Sequence, residues 1–114
     1  MNMLKGMLMT TLGLGCAGGG ADANQAQQWV ADGAMLLDVR TPQEFQSGHL
    51  RGAVNIPVQQ LAQRLDEVDA DRVVVYCRSG ARSARAAQML RQAGKEVLDI
   101  GTMARWGNRD DIVR

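Results

Sequence analysis

The residue types best suited to chemistry lie in one stretch of the chain, which reads Cys77-Arg78-Ser79-Gly80-Ala81-Arg82. Three valines and Tyr76 stand directly before the cysteine and predict a buried strand. An Ala-rich amphipathic segment follows over residues 83–92 and predicts a helix. A thiol between the two would face the amide groups and the partial positive charge of a helix N-terminus, which lower a thiol pKa. We therefore predict that Cys77 is a nucleophile.

The residues that follow Cys77 decide between a reactive thiol and a buried apolar side chain. A cysteine after three valines is often a small buried hydrophobe. Two arginines and a glycine directly after it favour the reactive interpretation, because cationic neighbours stabilise a thiolate. Gly80 allows the backbone to curl so that amide groups converge, and Arg78 and Arg82 are candidates for binding an anionic reactant. His49, the single histidine, is expected to bond to backbone, since a thiol of low pKa needs no base.

The composition indicates one small domain and excludes several classes of function. The chain has 114 residues, enough for a single domain, and its 13 basic and 12 acidic residues nearly balance. This balance gives no reason to expect a nucleic-acid partner. One histidine and two cysteines match no zinc or calcium spacing, so no metal site is predicted. The only lysines, Lys5 and Lys95, belong to no phosphate-binding loop, and no cofactor is expected.

The first 23 residues have the order of an export signal. A lysine precedes a short apolar run and several glycines, and Ala21-Asp22-Ala23 has the small-x-small form of a cleavage site. The run Leu14-Gly15-Cys16-Ala17 alternatively resembles a lipoprotein signal, in which Cys16 is the lipid-anchored residue. We predict export to a bacterial periplasm, with residues 24–114 as the folded domain; the alternative is a flexible N-terminus of a cytoplasmic protein. The apolar run is far shorter than the ~20 residues of a membrane-spanning helix, so no transmembrane span is expected. After export Cys77 would be the unpaired cysteine of the domain, which favours a reactive role.

Strand and helix signals alternate along the domain. Strands are predicted at residues 34–39, 53–56, 72–77 and 96–100, and helices at 24–32, 42–47, 58–68 and 83–92. Thr41 is a candidate N-cap ahead of Pro42, and Gly94 is expected to end the last helix. Residues 49–52 are expected to form a loop, residues 101–107 a turn or short helix, and the last seven residues a polar, frayed end. The alternation predicts an α/β domain around a mainly parallel sheet.

Several segments, taken in order, resemble the rhodanese family, in particular its small single-domain members. The segments that carry the resemblance are Leu36-Leu37-Asp38-Val39-Arg40, Glu44-Phe45, Gly48-His49-Leu50, Gly52-Ala53, Asn55-Ile56-Pro57, residues 77–83, and Gly101 with Trp106. The resemblance implies a single rhodanese-like domain whose mainly parallel central sheet has about four to five strands flanked by helices. Two features depart from the pattern. The glycine-rich segment before Gln25 leaves open whether a first edge strand is present, and Thr102 stands where a second glycine is common.

The same resemblance implies a sulfurtransferase. Cys77 would take a sulfane sulfur from a small anionic donor such as thiosulfate and pass it, as a persulfide, to cyanide, to a thiol or to a protein acceptor. The loop that surrounds the sulfur with amide groups would consist of Arg78, Ser79, Gly80, Ala81 and Arg82. Asp38 and Arg40, at the end of an earlier strand, are candidates for a supporting role near the loop. Arg40 is also four residues before Glu44, a spacing that permits an ion pair, and Trp106 is expected to pack near the site.

Two other kinds of function would use the same cysteine. One is a sulfur-carrying or redox-sensing binding module that holds a persulfide without turnover, which an intact loop does not distinguish from an enzyme. The other is a cysteine-dependent phosphatase or arsenate reductase, a class with a related fold and an arginine six positions after the cysteine. Here the sixth position is Ser83, and the arginine is at the fifth, Arg82. The shorter loop favours a single sulfur atom over a tetrahedral phosphate.

Overall fold

The computed structural model describes residues 22–114, in which helices and strands alternate. The helices are α1 (Ala23–Ala31), α2 (Pro42–Ser47), α3 (Val58–Leu61) and α4 (Ala81–Gln92). The strands are β1 (Met35–Asp38), β2 (His49–Leu50), β3 (Val54–Asn55), β4 (Arg72–Cys77), β5 (Glu96–Thr102) and β6 (Ile112–Val113). The remaining helical segments are of the 3-10 type, at Ala62–Glu67, Met103–Trp106 and Arg109–Asp111. Among these residues, no helix is long and apolar enough to cross a membrane.

A four-stranded parallel sheet in the order β3-β1-β4-β5 forms the centre of the fold. Strand β1 ends with Asp38 opposite Tyr76, and β4 ends with Cys77 opposite Thr102 of β5. Because the strands are parallel, their carboxyl ends lie at the same edge of the sheet, where α/β folds commonly place their ligands. The predicted α/β class and the predicted number of strands are confirmed. Within residues 22–114, no strand precedes α1.

Both faces of the sheet are covered, which explains why β4 reads as a continuous apolar run. Alternate residues of a strand point to opposite faces. Val73, Val75 and Cys77 belong to a core cluster that includes α4, whereas Val74 and Tyr76 belong to a second cluster that includes α1. All five residues are fully buried. The Cys77 side chain therefore lies on the face covered by α4, beside the N-terminus of that helix.

The first helix begins one residue before residue 24, the predicted start of the folded domain. Helix α1 starts at Ala23, and the Asp22 side chain caps it by accepting a hydrogen bond from the Asn24 amide at 2.8 Å. Most of the predicted export signal, including the lipid attachment at Cys16, lies outside the described residues. Export and lipidation therefore stay predictions.

The C-terminal segment and the segment after α2 pair with each other, contrary to the sequence prediction. The predicted loop at residues 49–52 begins with β2, and the predicted frayed end contains β6, which pairs with β2 in an antiparallel ladder. Next to this ladder the Arg51 amide donates to the Asp111 carbonyl at 2.6 Å, and Leu50 is fully buried. Two-residue strands are too short to show an alternating pattern, so the sequence alone did not reveal this pairing.

The predicted helix over residues 58–68 is one α-helical turn, α3, followed by the 3-10 segment Ala62–Glu67. The backbone leaves helical geometry at Arg64, with φ −120° and ψ 22°. The apolar positions still face the core, since Val58, Leu61 and Val68 are buried and Leu65 packs against the same cluster. Apolar residues three or four positions apart fit either type of helix, so their spacing did not distinguish the two.

Candidate active site

After Cys77 the chain turns sharply into α4, which begins at Ala81, two residues before the predicted start at Ser83. Gly80 precedes the helix with φ +105° and ψ −21°, a conformation that residues with a Cβ avoid. This turn aims the Gly80 amide at the thiol, and its N–H donates to Cys77 Sγ at 2.9 Å. An amide donor and a helix N-terminus therefore meet at the sulfur, and both favour an anion there.

Ser83 was not predicted as a site residue, yet it lies beside the thiol. Burial is the largest single influence and raises the pKa of Cys77, but hydrogen bonds from the Ser83 hydroxyl and amide and from the Gly80 and Ser79 amides together lower the pKa below its ordinary value. Ser83 is fully buried, and its hydroxyl also lies 3.1 Å from the Gly80 carbonyl oxygen. A hydroxyl has one hydrogen, so Ser83 donates either to the sulfur or to that carbonyl. The signal that would have identified Ser83 is the true start of α4, which puts this residue in the first helical turn.

The thiol is buried although its neighbours on the loop are exposed. Cys77 is 0 % exposed, whereas Arg78, Ser79 and Ala81 have exposed side chains. The sulfur therefore lies beneath the exposed side chains of the loop. Of the predicted loop residues, Ser79 and Gly80 have their amides next to the sulfur.

Arg82, which the sequence analysis made a candidate for binding an anionic reactant, forms an ion pair within the fold. Its Nη1 and Nη2 atoms donate to the two carboxylate oxygens of Glu44 at 2.7 and 3.0 Å. Glu44 also accepts hydrogen bonds from the Thr41 amide and hydroxyl, and it completes a capping box at the start of α2. The ion pair that the spacing of Arg40 and Glu44 permits is not formed, because Arg40 pairs with Asp38 and Arg82 binds the Glu44 carboxylate.

Asp38 and Arg40 form a buried ion pair with each other at the end of β1. Arg40 Nη2 donates to Asp38 Oδ2 at 2.6 Å. The Arg40 side chain is 5 % exposed and the Asp38 side chain 0 %. The same Nη2 donates to the Gly48 carbonyl at 2.7 Å, and the guanidinium carbon lies 5.6 Å from the centre of the Tyr76 ring. These contacts hold the end of β1 against the segment that enters β2. A supporting role of Asp38 and Arg40 in the chemistry of Cys77 stays a prediction.

Known proteins share both the sequence pattern and the fold. The sequence model of the rhodanese-like domain family matches residues 22–108. The chain belongs to this family. A sulfurtransferase of Allochromatium vinosum is 41% identical over 90 residues, which cover 75% of this chain and 84% of that protein. Protein YqhL of Bacillus subtilis is 47% identical over 79 residues, 67% of this chain and 63% of YqhL, so the chain spans less than two thirds of that relative. A solved structure described as a rhodanese with anions from Escherichia coli has a TM-score of 0.64 and 29% identity, and the match covers 71% of this chain and 98% of that one.

In this rhodanese-like domain, His49 and Trp106 make structural contacts. His49 Nδ1 lies 2.8 Å from the Phe45 carbonyl oxygen, and the two rings stack with centroids 3.7 Å apart, which confirms the predicted bond to backbone. Trp106 is buried, and its Nε1 donates to the Asp111 carboxylate at 2.7 Å. Gln27 of α1 donates to the Trp106 carbonyl at 2.6 Å. The turn after β5 is thereby tied to α1 and to the C-terminal segment.

The Arg82–Glu44 pair predicts a stability difference that depends on pH. The hydrogen bonds from Arg82 are the largest of the causes that lower the pKa of Glu44 from 4.5 to about 2. Burial raises this pKa, and the hydrogen bonds from Thr41 also lower it. The pair therefore stabilises the rhodanese-like domain fully above pH 4.5, and this contribution is lost as the pH falls through about 2. Because both side chains keep some contact with water, Glu44→Gln should cost only about 1 kcal/mol at neutral pH.

Urea denaturation at neutral pH and near pH 2 measures the effect of Glu44→Gln. The difference between wild type and Glu44→Gln should be much smaller near pH 2, since about half of the Glu44 carboxylates are then protonated in the folded protein. Glu67→Gln is the matched control, because its pair with Arg64 is more exposed, and it should show a smaller loss. If Glu44→Gln lowered the free energy of unfolding equally at both pH values, the ionised Glu44 carboxylate would not be the source of the stabilisation.

Proposed function

We propose that this rhodanese-like domain is an enzyme that moves a sulfane sulfur from thiosulfate, or a similar anionic donor, to cyanide or a thiol acceptor. Cys77 carries the sulfur as a persulfide between the two steps. The observation that carries the proposal is a thiol of lowered pKa with the Gly80 amide 2.9 Å from its sulfur. Two relatives support it: the 41% identical protein is named a sulfurtransferase, and the Escherichia coli rhodanese structure is described with anions.

The reaction consists of two exchanges at sulfur. In the first, the Cys77 thiolate attacks the outer sulfur of thiosulfate, the sulfur–sulfur bond of the donor breaks, and sulfite leaves with the electron pair. In the second, cyanide or a thiolate attacks the terminal sulfur of the persulfide. The bond between the two sulfurs then breaks, and its electron pair restores the Cys77 thiolate. The sulfur moves at the oxidation level of the donor, so neither step needs an external oxidant or reductant.

The loop suits both anions that this reaction places on Cys77. A thiolate and a persulfide are each stabilised by amide donors and by the N-terminus of a helix, here α4. The lowered pKa increases the fraction of Cys77 that is thiolate at neutral pH, so the scheme assigns no separate general base. His49 fits this scheme as a structural residue, because its Nδ1 is bonded to the Phe45 carbonyl.

Intact-mass spectrometry of the full chain after incubation with thiosulfate tests the proposal. We expect the protein to gain the mass of one sulfur atom, because the persulfide is covalent. Cys77→Ser should abolish both this adduct and the formation of thiocyanate from thiosulfate and cyanide. Cys16→Ser makes the same exchange at the other cysteine of the chain and should leave both unchanged. An adduct or turnover that survives in Cys77→Ser would refute the proposal.

Turnover separates the enzyme from a sulfur-carrying module. A persulfide that forms on Cys77 but yields negligible thiocyanate with cyanide present would identify a carrier that passes its sulfur to a protein partner. Hydrolysis of an aryl phosphate by wild type but not by Cys77→Ser would instead identify a phosphatase.

A further inference from the structure

The arginines of the loop and of the segment after β5 differ in whether they form an ion pair with a carboxylate. Both terminal nitrogens of Arg82 bind Glu44, so its charge is largely balanced within the fold. Arg78 on the loop and Arg105 in the 3-10 segment after β5 are exposed. Neither forms an ion pair with any residue in the range 22–114. No carboxylate among residues 22–114 therefore balances the charge of these two arginines through an ion pair, and this charge remains available to an anionic reactant.

Arg105 is linked to the loop through one glycine. A Cβ added to Gly80 would lie 4.0 Å from the Cα of Gly101, so the backbones of these two glycines lie close to each other. A Cβ added to Gly101 would in turn lie 3.9 Å from Arg105 Cδ, so the aliphatic stem of Arg105 lies next to Gly101. The Gly80 amide is the donor that lies 2.9 Å from Cys77 Sγ. Gly101 thus lies between the stem of Arg105 and Gly80, the residue whose amide donates to the sulfur.

The backbone that carries Arg105 is held from both sides. Trp106, the next residue, is buried and hydrogen-bonded through both its indole and its carbonyl group. Gly101 has its amide bound to the Asp99 carboxylate at 2.9 Å. A fixed backbone reduces the entropy lost when the guanidinium group binds a reactant.

We infer that Arg105 is a specificity-determining residue of this site, which attracts and orients the anionic end of a reactant whose other end approaches Cys77. A guanidinium group matches the oxygens of a sulfonate or carboxylate and stays charged at any relevant pH. The class of reactant is a small molecule with such an oxyanion next to the atom that meets the thiolate. The inference rests on the proposed function for the identity of the sulfur donor, but the attraction of an anion is testable without it.

Alkylation of Cys77 in the full chain, followed by peptide mass spectrometry, tests the role of Arg105. Iodoacetate and iodoacetamide react at the same kind of carbon and are nearly equal in size, but only iodoacetate is anionic. The ratio of their rate constants therefore reports attraction of the anion, and the iodoacetamide rate constant alone reports the reactivity and accessibility of the thiolate. Arg105→Ala should lower the ratio about three- to fivefold, the range of an exposed charge pair, and leave the iodoacetamide rate constant unchanged. Arg105→Lys retains the positive charge, so the ratio of its two rate constants should stay close to that of wild type.

Lys95→Ala is the matched control, because it removes one positive charge directly before β5, at the opposite edge of the sheet. Its ratio should equal that of wild type. An unchanged ratio in Arg105→Ala, or an equal fall in Lys95→Ala, would overturn the inference.

Loading of Cys77 by thiosulfate, measured on the same variants, separates this inference from the proposed function. If wild type forms no persulfide but Arg105→Ala lowers the alkylation ratio, the sulfurtransferase proposal fails and the role of Arg105 stands. If wild type forms the persulfide and the ratio is unchanged in Arg105→Ala, the role of Arg105 fails and the proposed function stands. If both hold, Arg105→Ala slows loading by thiosulfate and leaves the discharge of the persulfide to an uncharged thiol unchanged.

Discussion

Replacing Arg40 with methionine should reduce the free energy of unfolding by about 3–5 kcal/mol. The Asp38 carboxylate is 0 % exposed and would lose every hydrogen bond from the Arg40 side chain. The amide of residue 40 would still donate to it, but an amide carries no net charge to compensate a buried carboxylate. The shift of the urea midpoint at an unchanged slope measures the loss.

Two controls show whether burial is the cause. Arg72 pairs with Glu96 at 2.9 Å, but these side chains are 45% and 65% exposed, so Arg72→Met should cost less than about 1 kcal/mol. Combining Asp38→Leu with Arg40→Met should recover part of the loss, because two apolar side chains need no partner. Recovery should be incomplete, since the Gly48 carbonyl also loses its donor. If Arg40→Met were as mild as Arg72→Met, the pair would have to be solvated, contrary to its burial.

Gly80→Ala should impair the thiol more than it destabilises the fold. Alanine at φ +105° costs on the order of 1–2 kcal/mol, unless the turn relaxes. Space is not the obstacle, since the nearest atom to an added Cβ is Gly101 Cα at 4.0 Å. Relaxation would move the amide that donates to Cys77 Sγ, and the pKa of Cys77 would rise. Below that pKa, each unit of rise lowers the thiolate fraction about tenfold, so alkylation and persulfide loading should slow by about tenfold or more.

The pH profile of alkylation by iodoacetamide tests this effect directly. Because the pKa of Cys77 is lowered in wild type, the rate should rise with pH around a midpoint below that of an ordinary thiol, and Gly80→Ala should move this midpoint upward. Gly94→Ala is the matched control: Gly94 has φ +90°, no atom lies within 4 Å of an added Cβ, and it follows the other end of α4. It should lose a similar amount of stability but keep the wild-type midpoint. Equal midpoints in all three proteins would show that the Gly80 amide does not hold the thiolate.

Features that depend on residues close together in the chain were determined by the sequence. The apolar run that ends at Cys77 predicts a strand covered on both faces, and β4 is that strand. Thr41 followed by Pro42 predicts the start of α2, where the structure has a complete capping box. Gly94 predicts the end of α4, and it follows that helix with a positive φ. Caps, turns and strand runs are local because their hydrogen bonds and φ angles involve neighbouring residues.

Only the tertiary structure decided which partners the charged and polar side chains take. Spacing along the chain suggested Arg40 with Glu44, but Arg40 turns back to Asp38 at the buried end of β1, and Glu44 binds Arg82 because α2 lies beside the start of α4. The pairing of β2 with β6 and the position of Ser83 beside the sulfur arise in the same way. Such contacts depend on how segments distant in sequence approach each other, which no local pattern encodes. For that reason the Arg82 side chain, although it follows Cys77 closely in the sequence, is bound to Glu44. Arg105, which the sequence did not single out, is exposed next to Gly101.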